Sequence, residues 1–188
     1  MIILEIKELE IEGVFLIELP IFSDNRGYFR EWFKSSLISE SLGRNFDVRQ
    51  ANISSSNKGV LRGIHYSLSE TGQGKWLTCI SGAIMDVIVD IRVSSPTFKK
   101  HVSIELNSTN AASIFIPEEL GHAFMALEDN STVVYLLTSE YIPSQEFEIN
   151  PLDQELDIAW PIDLPFLSNK DAAAPTLSQQ LLAGRLPS

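Results

Sequence analysis

Three side chains suited to acid–base chemistry lie close together in the segment VLRGIHYSLSETGQGKW, residues 60–76. They are Arg62, His65 and Lys75. An imidazole can accept a proton near neutral pH, and an ammonium or guanidinium group can stabilise negative charge that develops on a substrate. Because the chain has only 3 histidines and a formal net charge of −11, this concentration of groups predicts a functional site.

The backbone must meet one condition for these groups to act together. In a regular strand Arg62 and His65 point to opposite faces, since their numbers differ in parity. A β-bulge at Gly63 would shift the parity by one residue and let both side chains line one cavity. The glycine-rich turn ETGQG is then predicted to form a hairpin that returns the strand with Lys75 beside the first strand.

Apolar residues recur at every second position through much of the chain, and this alternation predicts β-strands. AIMDVIVDIRV alternates and carries two carboxylates, STVVYLLTSEY carries Tyr135, and HVSIEL and ASIFIP are shorter runs. Helical patterns are confined to REWFKSSLISESLG, ending at Gly43, and PTLSQQLLAG, ending at Gly184. Strands at short intervals without alternating helices predict a mainly antiparallel sandwich or barrel, and we expect a single domain over residues 1–188.

The charge and the cysteine content exclude several classes of protein. A net charge of −11 argues against general affinity for nucleic acids or anionic membranes, which both need a basic face. A lone cysteine, Cys79, allows neither an intramolecular disulfide nor a cysteine-based zinc site and suits a reducing cytoplasm. Charged residues interrupt the N-terminal run MIILEIKELEIEGVFLIELP, so we expect no secretory signal and no membrane span there.

A series of motifs resembles, in order, those of the dTDP-4-dehydrorhamnose 3,5-epimerase family. The motifs are DNRGYFRE, QANISSSNKGVLRGIHY, GQGKW, DVIVDIRVSSPTF, IPEELGHAF, YLLTSEYIPSQE and LSNKDAAAP, running from about Asp24 to Pro175. The resemblance implies an all-β, cupin-like jelly roll with short flanking helices, a cytoplasmic homodimer, and no metal or other cofactor. It also implies that carbon 3, carbon 5 or both of a dTDP-4-keto-6-deoxyhexose are inverted, in rhamnose-type deoxysugar biosynthesis. Such inversion proceeds through an enolate that is reprotonated from the opposite face.

By motif position the resemblance implies four catalytic residues. His65 would be the base, and Asp171 would orient its ring and stabilise the imidazolium. Tyr135 would donate a proton from the opposite side of the sugar. Lys75 would interact with the developing enolate oxygen.

The resemblance also implies a set of residues that contact the nucleotide-sugar. These are Arg26, Glu31, Gln50, Asn52, Arg62, His122, Glu146 and Lys170. The arginines and Lys170 are suited to the diphosphate. Asp86 matches a further family carboxylate, which we place near Lys75 or His65.

Structural alternatives stand beside these functional roles. A lone strand histidine such as His65 commonly has a structural role. His122 could be a structural histidine whose ring nitrogens are hydrogen-bonded under the IPEELGHAF turn. Tyr135 could be a core tyrosine whose hydroxyl meets a partner. Asp171 could cap the short segment that follows it.

Departures from the commonest family pattern leave the specificity open. GHAF replaces the more usual His-Gly-Phe, GKW puts a tryptophan beside the lysine, and EFEINPLD lacks a tryptophan often found there. RGIHY with GHAF is similar to epimerases of antibiotic deoxysugar pathways, some of which invert only one carbon.

Two other classes of protein are alternatives to an epimerase. A metal-dependent cupin isomerase or oxygenase typically carries a His-x-His pair, which this chain lacks. A non-catalytic sugar-binding jelly roll would need neither a base nor an opposed acid.

The apolar stretches MIILEI and VFLIEL are predicted to form strands that pair across the dimer.

Overall fold

The computed structural model of the protein describes residues 5–110 and 112–188 and is built mainly of antiparallel strands. Residues 1–4, which belong to the predicted MIILEI strand, lie outside the described residues. The strands are β1 (Glu5–Glu8), β2 (Phe15–Glu18), β3 (Phe22–Asp24), β4 (Gly27–Phe29), β5 (Gln50–Ser56), β6 (Leu61–Ser67), β7 (Lys75–Ser81), β8 (Ala83–Asp90), β9 (His101–Asn107), β10 (Ala112–Ile116), β11 (Leu120–Ala126), β12 (Ser131–Leu137) and β13 (Glu146–Glu148). The helices are α1 (Ser35–Leu42), α2 (Asn169–Ala172) and α3 (Leu177–Leu182).

Two sheets carry most of these strands. The larger has six strands in the order β1-β2-β10-β7-β12-β5, the other has five in the order β13-β6-β11-β8-β9, and β3 and β4 form a separate hairpin. All strand pairings are antiparallel. This confirms the predicted cupin-like jelly roll of antiparallel strands with short helices.

Side chains from both sheets meet in a central core. Leu77 and Val133 of the six-stranded sheet are buried with Ile88 and Phe124 of the five-stranded sheet. Period-two alternation therefore directs one face of each sheet inward, where burial of apolar surface stabilises the sandwich.

The outer faces of the sheets are covered as well. The segment containing α1 buries Ile38 and Phe46 against Trp76 on the six-stranded sheet. The C-terminal segment buries Leu156 and Leu177 on the five-stranded sheet. Because these sheets are apolar on both sides, strands such as β8 are buried along nearly their whole length.

The two carboxylates of AIMDVIVDIRV have different environments. Asp90 is fully buried and accepts hydrogen bonds from Arg92, Ser95 and Thr97 in the turn after β8. Burial alone would raise the pKa of Asp90, but these hydrogen bonds lower it to about 2. Asp90 thus stabilises a turn, whereas Asp86 belongs to the cavity described below.

The predicted bulge lies in β6. Its register with β11 pairs His122 with His65 but Phe124 with Arg62, so β6 contains one extra residue at this point. Gly63 has a φ of +123°, and a Cβ there would lie 2.6 Å from the carbonyl oxygen of His122. Only glycine permits this approach of two backbones, and the bulge turns Arg62 and His65 toward the same cavity.

One prediction about strand pairing was wrong, and the strand order limits a second. β6 and β7 do not form a hairpin, because the ETGQG segment carries the chain from the five-stranded sheet to the six-stranded sheet. Lys75 therefore faces His65 from the opposite sheet. β2, the strand in VFLIEL, pairs with β1 and β10 of its own chain and has no free edge for a dimer partner.

Among the described residues, none of the helices has both the length and the apolar character needed to cross a bilayer.

Replacing Gly63 with alanine should destabilise the protein strongly. The new Cβ would meet Ala123 Cβ at 2.5 Å, and the backbone would be held at a φ that side chains rarely adopt. We expect a loss of at least about 3 kcal/mol in the free energy of unfolding, measured by urea denaturation.

Gly43→Ala is the matched control. Gly43 ends α1 with a φ of +65°, but a Cβ there would meet nothing within 4 Å, so a cost of only about 1 kcal/mol is expected. Equal losses in the two variants would show that the close contact at Gly63 is unimportant.

Candidate active site

A cavity of about 330 Å³ opens between the two sheets at one end of the sandwich. Strands β5, β6, β7, β11, β12 and β13 and helix α2 contribute to its walls, together with the segments before β7, after β12 and before α2. All of the predicted site residues except Arg26 and Glu31 line it: Gln50, Asn52, Arg62, His65, Lys75, His122, Tyr135, Glu146, Lys170 and Asp171.

His65 and Asp171 form a carboxylate–imidazole pair on one wall. His65 Nε2 lies 2.7 Å from Asp171 Oδ1, and the side chains of His65 and Asp171 are 43% and 5% exposed. A proton on Nε2 satisfies the carboxylate and leaves Nδ1 with its lone pair as the basic nitrogen. The pair is thus able to accept a proton from a bound molecule.

The segment that carries Asp171 is attached firmly to β6. Phe166 exchanges backbone hydrogen bonds with the start of β6, accepting from Leu61 at 3.0 Å and donating to Gly59 at 2.8 Å. Ser168 caps α2 by accepting from the backbone N–H of Asp171 at 3.0 Å. The Asp171 side chain is therefore not a helix cap but is directed at His65.

The electrostatics of Asp171 favour its charged form. Burial alone would raise its pKa, but the hydrogen bond and charge of His65, with hydrogen bonds from Ser168 and the Gly63 backbone, lower it. An ionised Asp171 can stabilise an imidazolium that forms on proton transfer.

Lys75 approaches from the other sheet, at the start of β7. Its ammonium is buried and donates a hydrogen bond to the carbonyl oxygen of His65 at 3.4 Å. Burial lowers the pKa of Lys75 to about 8, although the carboxylates of Glu146 and Asp86 act in the opposite direction. The adjacent Trp76 faces away from the cavity and donates from Nε1 to the Trp32 carbonyl at 3.0 Å.

A second carboxylate–imidazole pair lies beside the first. His122 on β11 is directly opposite His65 in the strand register, and its Nε2 lies 2.7 Å from Oδ1 of the fully buried Asp86. His122 is thus a cavity residue with a carboxylate partner, and Asp86 contacts His122 rather than His65.

Tyr135 occupies the wall opposite His65. It lies on β12 of the six-stranded sheet, between Asn52 of β5 and Leu77 of β7. Within the described residues, its hydroxyl has no hydrogen-bond partner, while its ring packs partly against the central core. The cavity therefore has an imidazole on one side and a phenol on the other.

The remaining predicted binding residues are partly engaged with one another. Gln50 donates to Asn52 at 2.9 Å and accepts from the Tyr141 backbone at 2.8 Å. Lys170 contacts Glu148 at 3.0 Å, and although burial alone would lower the pKa of Lys170, this carboxylate raises it. The Gln50 amide and the Lys170 ammonium thus each have protein partners at the cavity.

Arg26 and Glu31 lie away from this cavity. Arg26 is at the tip of the β3–β4 hairpin, 86% exposed and paired with Asp24. Glu31 borders a separate apolar cavity and contacts Lys34 at 3.7 Å. The described chain does not bring these two residues to the other site residues.

Several cavity residues were missed from the sequence. They are Ser54, Gln73, Phe124, Leu137, Tyr141, Phe147 and Ser168. The apolar members are indistinguishable from core residues by pattern, because they continue the alternation of buried strands. Gln73, whose amide donates to Glu146 at 3.2 Å, lies in the GQGKW motif and could have been found there.

This geometry suits removal of a proton next to a carbonyl group and its return from the other side. A base, an opposed hydroxyl donor and a buried ammonium are the groups that such chemistry requires. Among the described residues, no cluster of three or more histidine, cysteine, aspartate or glutamate side chains is arranged to hold a metal ion.

Comparisons with known proteins agree with this chemistry. The family model described as dTDP-4-dehydrorhamnose 3,5-epimerase matches residues 8–179. A relative of that name from Mycolicibacterium smegmatis is 45% identical over 183 residues, covering 96% of this chain and 90% of the relative.

Solved structures show the same similarity. NovW, a 4-keto-6-deoxy sugar epimerase from the novobiocin biosynthetic gene cluster of Streptomyces spheroides, superposes with a TM-score of 0.96 at 39% identity, covering 98% of this chain and 93% of NovW. ChmJ, a 3'-monoepimerase from Streptomyces bikiniensis in complex with dTDP-quinovose, gives a TM-score of 0.93 at 42% identity, covering 96% of this chain and 91% of ChmJ.

The buried Lys75 should make stability depend on pH. Its pKa of about 8 in the folded protein is below that of an unfolded lysine, about 10.4. The unfolded chain thus binds more protons between these values, and stability should rise with pH. From pH 7 to pH 10 the free energy of unfolding of the wild type should gain about 2 to 3 kcal/mol relative to Lys75→Met.

Lys170→Met is the control, because the pKa of Lys170 is raised rather than lowered. The difference between the wild type and this variant should shrink, not grow, as the pH rises. Urea unfolding at several pH values measures both differences, and a Lys75 difference that is flat between pH 7 and pH 10 would contradict the description of a buried, weakened ammonium.

Proposed function

The chain belongs to the dTDP-4-dehydrorhamnose 3,5-epimerase family, and we propose that it inverts carbon 3, carbon 5 or both of a dTDP-4-keto-6-deoxyhexose. The observation that carries this proposal is the placement of His65 and Tyr135 on opposite walls of one cavity. Inversion at a carbon requires that the proton leave from one face and return to the other, which two opposed groups achieve without reorienting the sugar.

In the proposed mechanism the Nδ1 atom of His65 removes a proton from the carbon next to the ketone. Asp171 holds the ring and stabilises the imidazolium, as its 2.7 Å contact with Nε2 allows. The electron pair moves to the carbonyl oxygen, where the ammonium of Lys75 stabilises the enolate. Tyr135 then returns a proton from the opposite face. We assign a contact with the sugar to His122, whose partner Asp86 also acts on the charge of Lys75.

The nucleotide part of the substrate is assigned to the charged and amide groups around the cavity. We propose that Arg62 and Lys170 bind the diphosphate and that Gln50, Asn52 and Glu146 bind polar groups of the nucleotide-sugar. The relative ChmJ was solved with dTDP-quinovose, which supports a dTDP-sugar as the ligand.

The proposed enzyme inverts either both carbons or only one of them. A relative from Streptomyces bikiniensis named dTDP-4-dehydro-6-deoxyglucose 3-epimerase is 42% identical, which favours a single-carbon epimerase of an antibiotic deoxysugar pathway as the second candidate. Proton NMR in deuterated water shows which carbons exchange, and the configuration of the product shows which of the exchanged carbons are inverted.

We further propose a cytoplasmic homodimer. The β3–β4 hairpin exposes Phe22, Tyr28 and Phe29, an apolar surface of the kind that partners cover. A partner's cavity would receive Arg26 and Glu31, the two predicted binding residues that lie away from the cavity of their own chain. The buried, lone Cys79 is compatible with a reducing compartment.

His65→Ala should abolish exchange of solvent deuterium into dTDP-4-dehydro-6-deoxyglucose, with or without a chelator present. Removal of a general base costs about a hundredfold to ten-thousandfold, while affinity for dTDP should be nearly unchanged because other residues bind the nucleotide. His101→Ala is the control, since His101 lies on β9 outside the cavity, and it should exchange normally. Near-wild-type exchange by His65→Ala would assign the role of base to His122.

The chelator tests a separate point in the wild-type protein. Loss of wild-type activity with a chelator, restored by a divalent metal, would indicate a metal-dependent reaction.

Tyr135→Phe should separate deprotonation from inversion. The variant keeps the ring and the base but loses the hydroxyl, so deuterium should enter the substrate with retained configuration. Inverted product should fall by about a hundredfold or more. NMR analysis of recovered substrate and product measures both events, and normal inversion at every exchanged carbon would refute the two-sided mechanism.

Mixing two inactive variants tests the dimer. If Arg26 acts in the partner's cavity, a hybrid of Arg26→Ala and His65→Ala contains one complete site. Random exchange of subunits should then restore on the order of a quarter of wild-type activity. No recovery in a mixture that native mass spectrometry shows to contain the hybrid would place Arg26 in its own chain's site, and a fully active monomer would exclude the dimer.

A further inference from the structure

Arg62 is a positively charged residue in the wall of the cavity. Among the described residues, its guanidinium makes no ion pair, whereas Lys170 at the same cavity is paired with Glu148 at 3.0 Å. A guanidinium left with its full charge beside an open cavity is available to an anionic ligand.

The guanidinium of Arg62 is nevertheless held in one orientation. Its Nε donates to Ser56 Oγ at 3.0 Å and its Nη2 donates to the Ser55 carbonyl at 3.4 Å. Ser56 ends β5 in the six-stranded sheet and is 4% exposed, while Arg62 lies on β6 in the five-stranded sheet. The contact therefore connects the two sheets beside the cavity.

These two acceptors occupy one edge of a planar group with five N–H bonds. Nε–H and one N–H of Nη2 form that edge. The second N–H of Nη2 and one N–H of Nη1 are parallel and form a free edge at the end of the group. Two parallel donors on the free edge match two phosphate oxygens. An unrestrained arginine would have to be ordered when a ligand binds, which costs affinity.

We propose that Ser56 is a positioning residue that holds one edge of the Arg62 guanidinium and presents the other edge to the diphosphate of the substrate. The inference rests on the proposed function, in which Arg62 contacts that diphosphate. Ser56 is buried and is not among the residues that line the cavity, so we expect it to affect affinity through Arg62.

Calorimetric titration with dTDP and with inorganic pyrophosphate tests the proposal. Ser56→Ala should weaken the binding of both ligands by about threefold to tenfold, the effect of one hydrogen bond, and raise KM for the sugar nucleotide while kcat stays within about twofold. Ser56→Thr keeps the hydroxyl and should restore affinity. Ser113→Ala is the matched control, because the Ser113 hydroxyl is equally buried but has no partner among the described residues.

A double-mutant cycle with Arg62→Lys supplies the decisive comparison. Lysine has no Nε–H edge for Ser56 to hold, so Ser56→Ala should have no further effect on affinity in the Arg62→Lys background. If Ser56→Ala folds poorly, Ser56→Cys preserves the volume, offers only a weak acceptor and should show the same loss.

The possible failures are distinguishable. Wild-type protein that does not bind dTDP would remove the proposed function and this inference with it. Affinity lost in Arg62→Lys but unchanged in Ser56→Ala would overturn the inference and leave the function standing. An equal loss from Ser56→Ala in both backgrounds would show that Ser56 acts independently of Arg62.

Discussion

The contact between the backbones of β6 and β11 at Gly63 determines which side chains reach the cavity. At this point the absence of a Cβ lets the His122 carbonyl come close, and β6 accommodates one extra residue. Without that extra residue, Arg62 and His65 would lie on opposite faces of the sheet. The same contact aligns His65 with His122, so two carboxylate-paired imidazoles become neighbours on adjacent strands.

The sandwich of two sheets then places functional side chains on opposite sides of the cavity. β6 and β11 carry imidazoles on one sheet, whereas β7 and β12 carry Lys75 and Tyr135 on the other. A sugar ring between the sheets would have the His65 imidazole on one face and the Tyr135 phenol on the other. Burying an ammonium here is unfavourable, and the lowered pKa of Lys75 reflects that cost. A cation that loses its water has strong interactions with an oxyanion, and this is the interaction proposed above for Lys75.

Much of this arrangement is predictable from the sequence, and the failures have physical causes. Alternation identified β8 and β12, and the parity of Arg62 and His65 required a bulge that Gly63 provides. Short-range turn rules predicted a hairpin at ETGQG, but they carry no information on whether a chain continues in one sheet or crosses to the other. The pairing of His122 with Asp86 was also missed, since it depends on strand order rather than on spacing in the sequence. Arg26 and Glu31 were assigned by resemblance alone, and a single chain does not bring them to the cavity.

A crystal structure with a dTDP-hexose that lacks the 4-keto group would test the opposed arrangement most directly. The distances to measure join the His65 imidazole and the Tyr135 hydroxyl to the ring carbons of the bound sugar. The two groups should lie on opposite faces of the ring, each about 3 to 3.5 Å from the same carbon or from its bound hydrogen. A sugar with both groups on one face, or one bound outside the cavity between the sheets, would contradict the two-sided mechanism.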